Sequence, residues 1–499
     1  MPKTLLTAYI LYFLFILDTH GQTTRYWSLN FASEPSILAG AVVGGFAENQ
    51  AAYYNPATIS EIKSDNIGLS GEIFQLDFYT AKDAFGRDID MNLTQFNVLP
   101  SYVSIFLKSR KNPKLSMQLT LLTRDKNDFD VSESTIGNGD IYPSLLDLEV
   151  YSVLYESTLR YRDVWAGGGV AYQVNDRLSL GASIFLGLKR MTDKLTRSIN
   201  IVANSTSDSI ASLYSNAREI SRTDLTNYKL QTKLGLQYKL PKWRFGINIS
   251  MPSLLIFSKT KRYREVGISQ VYSESSSEII PDDVIIGTDD HPKGEFKDPL
   301  SLAIGVNYCP VPDRDMIGIS VEYFKEIPVY KLVDTKNTGD LINHSYPDIS
   351  VDDFMSLWYG ASDVVNVSLG YRRYINDGLT LLGGVRTDFD YLKNVDFTGT
   401  GNDYNNFIKF YWDVVHITGG ARFNIFRHRF VVGAQYSYGK ESRMKQLADF
   451  IPQVNLGDDD LLFENLDEAN VEFRYNSIGV FFGFIFNFMD KKNDPTITF

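Results

Sequence analysis

The stretch from Tyr228 to Leu240 reads YKLQTKLGLQYKL, and its two parities separate cleanly. Even positions carry Tyr228, Leu230, Leu234, Leu236, Tyr238 and Leu240, with Thr232 the one mild exception. Odd positions carry Lys229, Gln231, Lys233, Gly235, Gln237 and Lys239. Successive side chains of a strand point to opposite faces, so this segment predicts a strand with one apolar and one charged face. A single strand of this kind fits a sandwich. The pattern recurs along nearly the whole chain, however, broken by short turns and long polar loops, and that combination is the signature of a transmembrane β-barrel.

Working outward, Leu178, Leu180, Ala182, Ile184, Leu186 and Leu188 alternate with Ser179, Gly181, Ser183, Phe185, Gly187 and Lys189. Leu300, Leu302, Ile304, Val306 and Tyr308 likewise alternate with Ser301, Ala303, Gly305 and Asn307. Alternation and turn chemistry predict strands at about 66–79, 95–108, 113–124, 149–174, 177–192, 222–240 and 243–258. They continue at about 298–308, 315–326, 363–375, 378–390, 408–425, 428–440 and 470–488, roughly fourteen in all. Short connections at 109–112, 175–176, 241–242, 310–314, 376–377 and 426–427 would be periplasmic turns. Long connections near 80–94, 125–148, 193–221, 259–297, 327–362, 391–407 and 441–469 would be extracellular loops. In the fourth strand the apolar parity switches from Val153, Tyr155, Leu159 and Tyr161 to Val164, Ala166, Val170 and Tyr172. Beside Gly167–Gly169 that switch predicts a bulge or kink.

Lys3 precedes a charge-free apolar run from Leu5 to Leu17, then Asp18, Thr19, His20 and Gly21. Residues 1–21 therefore read as a secretory signal peptide cut before Gln22; the run is shorter than the roughly 20 apolar residues that a spanning helix needs. Mean hydropathy is −0.16, as expected when only alternate residues face lipid. Thirty Tyr and 32 Phe, within an aromatic fraction of 13%, suit interfacial girdles. A net charge of −11 argues against a nucleic-acid partner. Cys309 stands alone, which excludes an intramolecular disulfide and a Cys-rich metal cluster. The last strand sets Val480, Phe482, Phe484, Phe486 and Phe488 on one parity, like the closing strand that outer-membrane assembly machinery reads. That machinery and membrane lipids are the expected partners, 489–499 reads as a periplasmic tail, and a monomer is expected.

Before the first strand, Ser36–Ser60 reads SILAGAVVGGFAENQAAYYNPATIS and does not alternate. Its AGAVVGGFAENQAAYYNPA portion ends in Asn55, Pro56 and Ala57 and contains Gly44 and Gly45. On these residues, and on GGGVAYQVNDRLSLGASI (167–184) and DPLSLAIGVNY (298–308), the chain resembles the FadL/TodX family of outer-membrane transporters for long-chain fatty acids and other hydrophobic compounds. The resemblance implies an all-β transmembrane antiparallel barrel of about 14 strands, residues 66–488, holding an N-terminal plug, residues 22–65, that shifts to let a ligand leave. It also implies sideways release through a kinked strand, although the family's kink lies earlier in the chain than Gly167. Pro56 fixes φ and Asn55 can bond nearby backbone, so the pair suits a tight plug conformation.

A carrier of amphiphiles needs an apolar catch site and an enclosed polar anchor. Ile210, Leu213, Tyr214 and Ala217 follow helical spacing after Ser207 and Asp208, and DDFMSLWYG from Asp352 gathers Phe354, Met355, Leu357, Trp358 and Tyr359. Either could form an extracellular apolar groove, or could simply cap the barrel. Inward parity offers Arg160, Lys189, Lys229, Lys233, Arg372, Arg386 and Arg422 beside Glu322 and Asp388. These cations could bind a carboxylate ligand or pair with lumen acids, as polar barrel interiors generally do. Past residue 21, His291, His344, His416 and His428 show no H-E-x-x-H spacing, and there is no G-x-S-x-G elbow, Walker loop or dinucleotide fingerprint. The acidic runs Asp282–Asp283, Asp289–Asp290 and Asp458–Asp460 lack an EF-hand order. No enzymatic activity, cofactor or metal is expected. The composite reading is a passive uptake channel for hydrophobic small molecules, with a shuttle for secreted proteins and a general porin as rivals.

Overall fold

A computed structural model describes residues 24–27, 33–46, 49–62, 65–86, 88–109, 111–142, 148–203, 213–273, 278–279, 282–311, 314–336, 338–343, 350–397, 411–425, 428–444, 446–448, 450 and 471–487. The leader read over 1–21, the tail over 489–499, Ile210 and the Asp458–Asp460 run lie outside these. Strands β1 (Asn66–Lys82), β2 (Met91–Lys108), β3 (Leu115–Gly139), β4 (Glu149–Gln173), β5 (Leu178–Ala203) and β6 (Leu213–Lys239) follow one another antiparallel. Next come β7 (Trp243–Ser250), β8 (Leu254–Ser269), the short β9 (Tyr272–Ser273) and β10 (Glu278–Ile279), β11 (Asp283–Asp289), β12 (Lys293–Gly294), β13 (Ser301–Tyr308) and β14 (Met316–Phe324). The chain continues through β15 (Ile327–Asp334), β16 (Asp340–Asn343), β17 (Leu357–Ala361), β18 (Val364–Asn376), β19 (Leu379–Asp388), β20 (Val414–Ile425), β21 (His428–Met444) and β22 (Val471–Asn487).

β22 returns to β1 in an antiparallel ladder from Asn66↔Asn487 to Lys82↔Glu472, which closes the sheet. β7 and β8 are two lengths of one stave, since β6 pairs with β7 along Lys233–Lys239 and with β8 along Asn216–Leu230. β13 and β11 divide the next stave in the same way, β13 lying on β7 and β11 on β8. Counted by stave, the result is a closed antiparallel barrel of fourteen strands. Closure pairs each stave with a neighbour on both sides, which is the condition for a sheet to cross a bilayer, although β2 and β3 are laddered over only part of their length.

The lipid-facing parity is the one expected. On β5, Ile184 is 54% exposed and Ser183 3%, and Leu180, Leu186 and Leu188 share the exposed face. On β13, Leu302 and Ile304 are exposed while Ser301 and Ala303 are buried. An apolar face repeated around a whole barrel is stable only against hydrocarbon, so this is a transmembrane barrel of the outer-membrane type.

Two expectations are corrected. β3, β4, β5 and β6 run 25, 25, 26 and 27 residues, whereas about 9–11 suffice to span a bilayer. Much of 125–148, 193–221 and 259–297, read as loop, is strand projecting beyond the membrane. There both faces meet water or protein, so the lipid-facing signal that betrays a strand is missing. The parity switch in the fourth strand is likewise no bulge in β4, because its ladder with β5 is unbroken from Val150↔Val202 to Gln173↔Ser179. Odd residues point inward throughout. In the membrane the outward Val164, Ala166 and Val170 are apolar, and in the projection the inward Tyr151, Val153, Tyr155 and Leu159 are buried in a core inside the projecting part of the barrel. The hydrophobic side changes because the solvent outside the wall changes. The ladder irregularity lies in β3, at Thr123/Asp125.

The N-terminal segment holds α1 (Ser33–Ile37), α2 (Ala51–Tyr54) and a 3-10 helix (Pro56–Glu61). It packs on the inner wall. α1 contacts β19–β22, and the 3-10 helix contacts β3–β6. Wall glycines let it approach: a Cβ on Gly246 would lie 1.8 Å from the Val43 carbonyl, and one on Gly181 2.3 Å from Pro56. Equivalent contacts at Gly305, Gly370 and Gly433 show the segment touching opposite sides of the barrel.

Candidate functional site

Asn55 is the fastener of the N-terminal segment. Its side chain is fully buried; Nδ2 donates to the Val43 carbonyl at 2.9 Å and to the Leu236 carbonyl of β6 at 3.1 Å. Its Oδ1 accepts from the Ala57 N–H at 3.1 Å, capping the 3-10 helix, whose first residue is Pro56. One amide therefore ties together two parts of the segment and the wall. Asn is suited to this because it offers both donors and an acceptor, and Pro at a helix start needs no N–H partner. Gly44 lies where a Cβ would meet Asn307 at 2.7 Å. Gly45 has φ +137, a region that L side chains rarely adopt, and its carbonyl accepts from Arg244 Nη1 at 3.0 Å. Glu61 closes the far end with Lys239 at 3.2 Å and Arg244 at 3.3 Å, while Glu34 in α1 pairs with Arg422 at 2.9 Å.

A second anchorage lies further along the lumen. The Arg25 backbone forms an antiparallel β-bridge with that of Asp390 and its Nε lies 3.4 Å from Asp388, and the Trp27 N–H donates to Asp388 at 2.9 Å. Trp27 Nε1 donates to Glu322 at 2.8 Å. Tyr26 stacks on Phe324 at 4.2 Å and packs against Tyr391 at 4.6 Å. Thr24 donates to Asp390, which also accepts from the N–H groups of Leu392 and Trp412. Burial pushes the Asp390 carboxyl up to about 7 despite the opposing hydrogen bond from Thr24 and the charge of Arg25.

Between the two anchorages lies a belt of buried charge and aromatic rings. Lys229 Nζ is 2.8 Å from Asp163 and 2.6 Å from Asp298. Lys189 is 3.7 Å from Asp298 and sits over the rings of Tyr161 and Phe296. Trp165 Nε1 donates to Asp163 at 2.9 Å. Lys233 differs: it donates to Ser250 at 2.8 Å and lies 4.3 Å over the Tyr53 ring, with no carboxylate in ion-pair reach among the described residues. Arg124, at the β3 irregularity, donates to the Tyr26 carbonyl at 2.8 Å and reaches over Tyr53 and Trp165. Lys233 and Arg124 thus converge on one aromatic residue of the N-terminal segment, Arg124 within the field of Asp125, Asp163 and Asp298 and Lys233 with no carboxylate in ion-pair reach among the described residues.

The wall beside them is incomplete. Among the described residues, β2 and β3 are laddered only from Tyr102↔Leu122 to Lys108↔Ser116. Above that point β2 stays with β1 and β3 with β4. The parting lies just past Pro100, which has no N–H to donate, and β1 shifts register at Ser70/Gly71 and Glu72/Gln75 opposite it. The kink expected beside Gly167–Gly169 is absent from β4, and Gly169 instead makes room for Ile59 of the N-terminal segment.

The other candidates divide. Arg372 and Arg386 are buried on the inward parity; Arg372 Nε donates to the Arg314 carbonyl at 3.2 Å and its guanidinium lies over Phe46. Arg160 is corrected: it points outward and lies 3.6 Å from Asp130, because odd residues of β4 take the inner face. Leu213 and Tyr214 belong to β6, with no helix there; Leu213 is buried and Tyr214 exposed on the outer face. Val351–Met355 does form a short helix, α3, but Phe354 and Leu357 are buried and Trp358 half-buried, so they offer no open groove. Arg262 Nε and Arg264 Nη1 each donate at 3.0 Å to the carbonyls of Met355 and Phe354, drawing the loop inward. Asp163, Asp298, Tyr26 and Arg124 escaped the sequence reading. Arg124 alone carried a signal, a charge on the inward parity of the third strand.

No family model and no curated protein matches the sequence. Solved structures do resemble the fold. A Pseudomonas aeruginosa FadL homologue aligns over 94% of this chain and 98% of its own at 13% identity, with a TM-score of 0.50. The toluene transporter TodX of P. putida aligns over 92% and 99%, again at 13% identity and a TM-score of 0.50. The chain thus shares the fold of these two proteins.

Proposed function

We propose that this protein is a passive channel of the bacterial outer membrane for hydrophobic small molecules, gated by its N-terminal segment acting as a plug. The observation that carries the reading is the parting of β2 from β3 beside a ring-lined lumen that Ser33–Glu61 occupies below. An apolar molecule gains free energy by leaving water, and a gap in the wall would pass it from an aromatic lumen into hydrocarbon without its entering water again. A polar solute has no such gain, and the packed segment stands across its route. The toluene transporter TodX, of like fold, supports this reading.

Lys233 and Arg124 deepen it toward an amphiphile with an acidic head, such as a long-chain fatty acid. A carboxylate beside Tyr53 would give Lys233 the acid partner that it lacks among the described residues, with Arg124 close by, and such charge-assisted bonds are strong where water is excluded. Lys229, by contrast, is already neutralised by Asp163 and Asp298. Lipid extraction and native mass spectrometry of the purified protein, followed by titration with palmitate, test the proposal. Retained fatty acid or hydrocarbon, displaced by palmitate, is the expected result. An empty barrel that binds neither palmitate nor toluene would refute it.

A further inference from the structure

The outer wall carries a patch of cations that transport does not employ. Across β4, β5, β6 and β8 the apolar belt ends on one ladder row, Val164, Leu188, Tyr228 and Phe257. Two residues further along each strand, on the same outward face, the row becomes Arg162, Arg190, Thr226 and Lys259. Lys194 follows four residues beyond Arg190, directly opposite Arg222. Arg162, Arg190, Lys194 and Lys259 are exposed, and among the described residues none has an ion pair or side-chain hydrogen bond.

Neighbouring cations are treated differently. Arg222 pairs with Asp224, which lies on the row between Arg190 and Lys194, and Lys261 pairs with Asp290. Across the barrel, Lys440 and Arg474 share Glu472, and Lys393 takes Asp413 and Glu441. Arg162 faces Arg190 across the ladder, and Lys194 faces Arg222. Like charges directly opposite each other destabilise a sheet, and this chain has a net charge of −11, so acids are plentiful elsewhere. A repulsion kept at one place points to an external anion.

Its position identifies the anion's chemistry. Tyr228 and Phe257 mark the boundary at which aromatic rings meet head groups, and the cations begin one row above it. Acyl chains lying on Leu186 and Leu188 would carry a head group directly onto Arg162, Arg190 and Lys259. Guanidinium forks bind phosphate bidentately, and ammonium groups add point charge. We infer that the outward face of β4–β8 is a binding site for a multiply phosphorylated lipid of the outer leaflet, seated on Arg162, Arg190, Lys194 and Lys259. The inference rests on the membrane placement and stands apart from the ligand that the lumen carries.

The test is native mass spectrometry of the full chain in detergent, titrated with bis-phosphorylated lipid A or with the same lipid stripped of phosphate. The variants are R162Q/R190Q/K194Q/K259Q and, as a charge-matched control at the periplasmic turns, K111Q/K114Q/R177Q/K242Q. Heat-modifiable mobility on gels establishes that each barrel is folded. The expected result is a bound phosphorylated lipid on the native protein and the control, with affinity lowered roughly 100-fold or more in the patch variant. Equal binding by the patch variant, equal binding of the phosphate-free lipid, or displacement by millimolar inorganic phosphate alone would each overturn the assignment.

Discussion

Replacing Asn55 with alanine should undock the N-terminal segment and leave the barrel wall standing. The substitution removes bonds to the Val43 and Leu236 carbonyls and from the Ala57 N–H, all three on a side chain with no solvent exposure. Each bond has a net worth of about 1 kcal/mol, and backbone groups left unsatisfied add to the loss, so the docked state should weaken by about 2–4 kcal/mol. At tenfold per 1.4 kcal/mol, the undocked population rises roughly 30- to 700-fold. No wall ladder passes through Asn55, so the closure between β1 and β22 is untouched. Hydrogen–deuterium exchange reads this directly: amides in 33–62 should lose protection by that factor while those of β5 and β6 keep theirs. Planar-bilayer recordings should show new openings in the same variant. Unchanged protection in 33–62, or equal loss across the wall, would refute the role given to Asn55.

Four further outcomes follow. Lys233→Gln should weaken binding of a fatty acid roughly tenfold or more and leave toluene binding within about twofold, because only the acid meets the lost charge; equal effects on both ligands in parallel titrations would count against the head-group site. Gly246→Val should displace the segment sterically, since even a Cβ there would lie 1.8 Å from the Val43 carbonyl, and trypsin accessibility of 33–62 at constant barrel mobility would reveal it. Ile184→Arg, on the lipid face of β5, should destabilise the barrel by about 2–4 kcal/mol in urea unfolding, whereas a neutral result would place that face in water. The Asp390 carboxyl is raised from its ordinary 3.8 to about 7, so its contribution is fully present below the unfolded value and is lost as pH rises through about 7. The Tm difference between the native protein and Asp390→Asn should therefore change between pH 4 and 7 and level off above 8; a flat difference would deny the shift.

What the sequence disclosed was whatever the bilayer imposes on it. Outward residues of β5, β6 and β13 must be apolar, so Leu180, Leu234 and Ile304 announced their strands and their face. Where the strands leave the membrane that constraint ends. Leu213 and Ala217 then mimicked a helical stripe although both are inward residues of β6. Arg160 seemed inward because Leu159 and Tyr161 were read as lipid-facing; those two instead point into the interior of the projecting part of the barrel. The lumen was legible as polar, but the assignment of its charges was not. Asp298 lies between β12 and β13 and reaches Lys229 by the path of a loop, which no periodicity encodes. Asn55 was legible because its chemistry is local, a side chain capping the helix that begins beside it.

The central claim, that this barrel passes apolar molecules and bars polar ones, meets its most direct test in vesicles carrying the purified protein. Entry of a fluorescent long-chain fatty acid and of a radiolabelled disaccharide would be timed in the same preparation. The account predicts protein-dependent entry of the acid and none of the sugar. Free entry of the sugar, with the acid crossing no faster than in protein-free vesicles, would contradict it.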